Sequence, residues 1–200
     1  MAQARDSDSD RTSGDTAAAR NPFWDFSLAV WGRAAVEPAC LALQARHGID
    51  VNILLFCGWA GRRGRALDEA DLGRLIDAAR PWREAAVLPL RALRIWLKTQ
   101  TVTPAGAPAG SAEALRARIK ACELEAEAIQ QALLVAAIVV PEGAVSGGGG
   151  APALTAANLS TYFAALGIAP GADDTAELAD LLRGCHPELR PLEAVWLLAD

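Results

Sequence analysis

The chain has 200 residues, 52% of them hydrophobic, and a formal net charge of −5. That length buries a core without disulfide or metal staples, and the acidic balance disfavours a general nucleic-acid binder. Ala and Leu dominate the apolar residues, which favours helix over strand. The expected class is all-α: a helical bundle with a long heptad-patterned helix and a small helical C-terminal unit.

Residues 1–20 carry no large apolar side chain after Met1. A segment that buries nothing cannot offset its ordering entropy, so a disordered N-terminal tail is expected there. Asn21 and Pro22 then read as an N-cap followed by proline at the first helical position. Phe23, Trp24, Ser27, Leu28 and Trp31 follow at helical spacing, and Gly32 ends the run. A second helix begins near Glu37 and Pro38, carries Cys40, Leu41, Leu43, Gln44 and His47, and stops at Gly48, with Ile49 placed to close over its end. Asp50 caps a third helix over 51–60, where eight of ten residues are hydrophobic, none is charged and Asn52 is the one polar side chain. A helix apolar on all sides belongs at the centre of a bundle.

After a basic turn at Arg62, Arg63 and Arg65, Asp68 caps a fourth helix with Leu72, Leu75, Ile76 and Ala79 on one face. Pro81 is read as opening a fifth, with Trp82, Ala86, Leu90, Leu93 and Leu97 in one stripe. Pro89 inside it should bend or divide the helix. Residues 99–110 form a linker. Ser111 caps the longest helix, which runs to Val140. Its residues Leu115, Ile119, Cys122, Ala126, Ile129, Leu133, Ala136 and Val140 alternate in steps of four and three, an unbroken heptad seam. This seam is expected to pack on the fifth helix as an antiparallel hairpin, leaving the Glu123 and Glu127 face free for a partner. Residues 141–153 read as a Gly-rich linker. Beyond it, Thr155 caps a helix with Leu159, Tyr162, Phe163 and Leu166. Asp174 and Glu177 start another, and Leu192, Val195 and Trp196 lie in a last short one. The organisation is thus a tail at 1–20, a bundle domain at 21–140, a linker at 141–153 and a C-terminal unit at 154–200.

Charge is uneven along the chain: residues 61–98 hold nine Lys or Arg against five Asp or Glu, and residues 141–200 hold two against eight. Two solvated faces account for this. Cys40, Cys57, Cys122 and Cys185 form no C-x-x-C pair, so neither a disulfide framework nor a zinc site is expected. Cys40 with His47, Cys57 with Asp50, and Cys185 next to His186 are each too sparse to hold a metal. The amino terminus has no apolar signal core. The longest uncharged helical runs, 51–61 and 128–140, fall short of the ~20 residues that span a bilayer. A cytoplasmic protein with no membrane span is expected.

No nucleophile elbow and no phosphate loop is present, so no catalytic residue and no cofactor is assigned. Two polar and aromatic sets remain as candidates. Asp50 and Asn52 sit at the mouth of the apolar third helix, as caps or as polar contacts at a pocket entrance. Trp24, Trp31 and Trp59 pack in the core or line a ligand cavity.

Three segments carry a resemblance. They are Phe23-Trp24-Asp25-Phe26-Ser27-Leu28; Ala39-Cys40-Leu41 with Leu43-Gln44; and Gly48 with Asp50-Val51-Asn52, Leu54-Leu55-Phe56 and Trp59. With Pro81-Trp82, Pro89-Leu90-Arg91 and the Glu-rich helix around Glu123, they resemble a bacterial family of uncharacterised small helical proteins, a domain of unknown function, over about residues 22–140. The resemblance implies a bacterial cytoplasmic helical protein and carries over no activity, cofactor or catalytic residue. The leading functional reading is a non-enzymatic protein-interaction or regulatory module with a protein partner still to be identified. The alternative is a small-molecule-binding protein or enzyme with a Trp-lined pocket; a nucleic-acid adaptor is a third. A monomer is favoured, with a homodimer as the other state.

Overall fold

Helix α3 (Val51–Arg62) is enclosed along its length: every residue from 51 to 61 is buried. The Asp50 carboxylate caps it by accepting from the Asn52 amide at 3.0 Å. Around it pack α1 (Pro22–Trp31), α2 (Val36–His47), α6 (Ser111–Ala137), α7 (Ala151–Ala165) and α8 (Ala172–Cys185). The fold is completed by α4 (Glu69–Trp82), α5 (Leu88–Thr99) and α9 (Pro191–Ala199), which makes nine α-helices and no strand among the described residues. This computed structural model describes residues 21–99, 108–141 and 151–199. The tail expected at 1–20 and most of the two expected linkers lie outside them.

The cap signals place the first four helices. Asn21 accepts from the Trp24 amide at 2.9 Å at the start of α1. Gly48 ends α2 at φ 66°, a backbone conformation that costs glycine little. At the start of α4, Asp68 accepts from the Asp71 amide while the Asp71 carboxylate reaches back to the Asp68 amide, a reciprocal capping box. The aromatic nucleus is Phe23, Phe56 and Trp59, with ring centroids 5.2 to 5.4 Å apart. Glycine permits the closest crossing: a Cβ on Gly61 would lie 2.5 Å from the Thr155 Cα, so α3 and α7 meet backbone to backbone there.

Pro81 does not open a helix. Helix α4 runs through it and continues as one wide π turn, Arg83–Val87, before α5 begins. In that turn the Leu88 amide bonds the Arg83 carbonyl, five residues back. The wider turn sits just before Pro89, where an α-helical turn would drive the proline ring into the preceding carbonyl. The division expected at Pro89 is therefore a π turn rather than a break.

Helix α6 also differs from its expected orientation. It packs on α5, and the pairing of Arg91 with Glu127 and of Arg94 with Glu123 shows the two running antiparallel. The contact face is mostly not the heptad seam, however, of which it takes Ala126. Glu123, Ala126, Ala128, Gln130, Gln131 and Leu134 are buried, whereas Leu115, Ile129 and Leu133 stay 37–39% exposed and Cys122 is exposed. The Glu123 and Glu127 face, expected to be free, is instead clamped by Arg91 and Arg94. The cause is charge pairing: α5 presents two guanidinium groups where the seam would need apolar surface. In the fifth-helix stripe Leu97 is buried and Leu93 is exposed.

Helix α7 begins at Ala151, so Thr155 lies inside it and does not cap it. Leu159, Tyr162, Phe163, Leu178, Leu181 and Cys185 share one core with α1 to α4. Helix α8 begins at Ala172 with Gly171 as its cap residue. Asp174 stands in the first turn and accepts from the Gly171 amide at 2.8 Å. That carboxylate also takes Arg46 and His47, which fixes α8 against the end of α2.

Candidate functional site

A chain of buried amides runs from α1 to the mouth of α3. Ser27 Oγ lies 3.1 Å from Gln131 Oε1 and 2.9 Å from the Trp24 carbonyl, its one proton shared between two acceptors. Gln131 Nε2 donates to Asn52 Oδ1 at 2.8 Å, and Asn52 Nδ2 donates to Gln130 Oε1 at 3.1 Å. Gln130 Nε2 donates to Asp50 Oδ2. Every donor points the same way, so the amide dipoles add and end on the Asp50 carboxylate. Arg83 Nε stands 3.3 Å from that same oxygen and Arg83 Nη2 donates to the Gly48 carbonyl at 3.0 Å. The Tyr162 hydroxyl accepts from the Asp50 amide at 3.1 Å. Burial pushes the Asp50 pKa up; Arg83, the Asn52 amide and Gln130 pull it back. The Tyr162 phenol is driven up, first by burial and then by the Asp50 charge.

Asp50 also opens onto a pocket of 320 Å³ between the α2–α3 turn, the end of α4 and α7. Ile49, Ile53, Ile76 and Leu166 give it apolar walls; Arg83 and Tyr162 bring polar groups to the same space. Of the predicted residues, Asp50 lines this pocket. Asn52 is buried and joins it through Asp50, directly by its backbone amide and by its side chain through Gln130. Trp24, Trp31 and Trp59 are not among its lining residues. Trp59 stacks in the aromatic nucleus with Arg63 above it, and its buried Nε1 finds no acceptor among the described residues. Trp31 packs against the main core, and Trp24 is half-buried.

The residues missed at the sequence level are Gln130, Gln131, Arg83 and Tyr162. The two adjacent amides fall where the charges of the long helix give out, which was the available signal. Arg83, one of a set of arginines that could hold an anion or acidic partner, and Tyr162 are remote from Asp50 in sequence, and nothing in their spacing joins them to it.

A second polar set invites a catalytic interpretation. Thr155 Oγ1 lies 2.8 Å from His186 Nε2, and His186 Nδ1 lies 3.3 Å from Glu188 Oε1. The order hydroxyl, imidazole, carboxylate matches a nucleophilic triad. Thr155 and His186 are 0% and 1% exposed, however, and Thr155 is sealed against Gly61, so no substrate reaches the hydroxyl. The set ties α7 to the end of α8. Burial lowers the His186 pKa below its ordinary 6.5. The unfolded chain therefore takes up a proton first as pH falls, and stability is lost below that value. Unfolding titrations from about pH 7.5 to about pH 5 should show this loss in the native chain and a shallower one in His186→Gln.

Burial likewise pushes the Cys40 and Cys185 thiols up to about 12, and raises Cys57 further, so the three buried cysteines are unreactive thiols. Among the described residues no group of three or more His, Cys, Asp or Glu is disposed to hold a metal. No single helix among them is long and apolar enough to cross a membrane.

No curated protein and no solved structure matches the chain. A family model does, over residues 22–134, which takes in α1 to α5, most of α6 and the whole amide chain from Ser27 to Gln131. With more than half of its length matched, the chain belongs to the family described as "Protein of unknown function (DUF2390)".

Proposed function

We propose that the protein is a non-enzymatic interaction module whose contact surface is the outward seam of α6. One observation carries this: α6 buries Glu123, Gln130 and Gln131 while it leaves Leu115, Cys122, Ile129 and Leu133 of the heptad seam exposed, with Ala126 the seam residue that turns inward. Turning amides inward requires every one to be paired, as the Ser27–Asp50 chain does. The apolar residues left outside then form a ready contact line for another helix. The arginines of residues 61–98 support this reading over a nucleic-acid adaptor, because they are already engaged. Arg65 and Arg74 hold Asp71, Arg83 holds Asp50, and Arg91 and Arg94 hold Glu123. The free state of all four cysteines supports a reducing setting, and with the family resemblance a bacterial cytoplasmic one. Photocrosslinking in the native cell tests the surface. A benzophenone side chain at Ile129 should give a discrete protein adduct, and one at exposed Asp25 on α1 should give none. No adduct at Ile129 would overturn the reading.

A second reading is favoured by the pocket at Asp50, where a carboxylate, an arginine and a phenol meet apolar walls. Such a space fits a small amphipathic ligand. Thermal-shift screening would reveal one, and Ile53→Trp, which fills the pocket, should abolish the shift. A shift that survives Ile53→Trp would exclude this pocket as its source.

A further inference from the structure

We propose that the occupant of the α6 seam is a second copy of the same chain, laid antiparallel across a twofold axis at Cys122. The inference rests on the interaction reading above and names its partner. The exposed seam is self-complementary about that residue. Leu115 stands seven positions before Cys122 and Ile129 seven after, so reversal of the helix brings each Leu115 onto the partner copy's seam at Ile129. Such an arrangement is the isologous contact of a closed dimer, in which one patch serves both subunits.

Charge selects the direction. Arg118 lies four positions before Cys122 and Glu125 three after it, both exposed beside the seam. Among the described residues, neither has an ion-pair partner within the chain. In the antiparallel arrangement each Arg118 meets a Glu125, and symmetry makes the pair twice. A parallel pair would set Arg118 against Arg118 and Glu125 against Glu125, repelling twice over. Small side chains at the axis assist: Cys122, with Ala121 beside it, lets two backbones approach closely. Over its 27 residues α6 is about 40 Å long, enough for several turns of contact on both sides of the axis.

The test uses the full chain. Sedimentation equilibrium should show a reversible dimer. A short bismaleimide should join two chains through Cys122, since Cys40, Cys57 and Cys185 are buried and Cys122 is exposed. Arg118→Glu and Glu125→Arg should each weaken the dimer about tenfold, and the two together should restore it, because the pairs re-form with reversed sign. Both positions are exposed, so the variants should keep the native circular dichroism. A chain that stays monomeric up to about 100 µM, a range that would detect even weak association, overturns the proposal. So does a dimer indifferent to both charge changes. If the chain is monomeric but Ile129 still crosslinks to another protein, self-association fails and the interaction module stands; with no dimer and no adduct, both fail.

Discussion

Leu54→Ala is expected to lower the unfolding free energy by about 3–4 kcal/mol, near the upper part of the range for large-to-small core changes. Leu54 is 0% exposed on a helix whose whole circumference is covered. The cavity it leaves has little means of collapsing. On one side Gly61 holds α3 against the α7 backbone, and on another a Cβ at Gly58 would strike the Cys185 sulfur at 2.5 Å, so both contacts are already close. Walls held by backbone contact do not relax into a void, and the cavity contribution is then felt in full. Urea titration of the purified variant measures the loss. A value under about 1 kcal/mol would remove α3 from the energetic centre.

Asp50→Ala is expected to cost about 3 kcal/mol, more than loss of a helix cap alone would. The carboxylate receives the Asn52 amide, Gln130 Nε2 and Arg83 together. Alanine leaves Gln130, which is 0% exposed, with an unpaired donor and Arg83 facing its pocket without a counter-charge. Asp50→Asn has one carbonyl oxygen in place of the two that the carboxylate uses, so it keeps the cap and turns its amide N–H toward the Gln130 and Arg83 donors. It should cost about 2 kcal/mol, less than Asp50→Ala but more than one altered hydrogen bond, because a buried donor is again left unpaired. In a double change, Asp50→Ala with Gln130→Leu, the Gln130 donor is gone but Asn52 Nδ2 loses its acceptor, so the cost should fall below the sum of the two single changes. If the two single costs simply add, the end of the amide chain is not coupled as described.

The helices that could be read in the sequence are those whose ends are written in local chemistry. Asn21, Gly48, Asp50 and Asp68 each act on atoms within three residues of themselves, or adopt a conformation set by their own type. Their roles therefore appear without knowledge of the fold. The burial of α3 over 51–61 was legible for a similar reason: a stretch with no polar side chain except Asn52 has no face to give to water. Pro81 was misread because proline is tolerated wherever the missing amide and the ring can be accommodated. Here the wide turn at Arg83–Val87 follows it and precedes Pro89, and nothing in the spacing of two prolines announces a π turn.

The long helix was legible as a helix and not as a surface. A heptad pattern says which side chains share a line; it does not say which neighbour meets that line. Glu123 looked like a solvent residue until Arg91 and Arg94 arrived from α5 to neutralise it. Gln130 and Gln131 stand where the charges of the helix give out, and Asn52 and Ser27 supply their partners from two other helices. Buried polar groups of this kind are defined by contacts 78 to 104 residues away in sequence, so composition alone places them outside. The pocket at Asp50 has the same origin. One wall was visible at the α2–α3 turn, and the others come from α4 and α7.

The claim that α6 faces inward with its amides and outward with most of its heptad line is tested most directly by two adjacent leucines. Leu134 is 0% exposed and Leu133 is 37% exposed, though the heptad pattern assigns the inward place to Leu133. Unfolding titrations of Leu133→Ala and Leu134→Ala, run at high dilution so that any association is lost, compare them on one scale. The structure predicts a loss of about 3 kcal/mol for Leu134→Ala and under about 1 kcal/mol for Leu133→Ala. The reverse order would show that the seam is the packed face, and with it the outward contact surface would be lost.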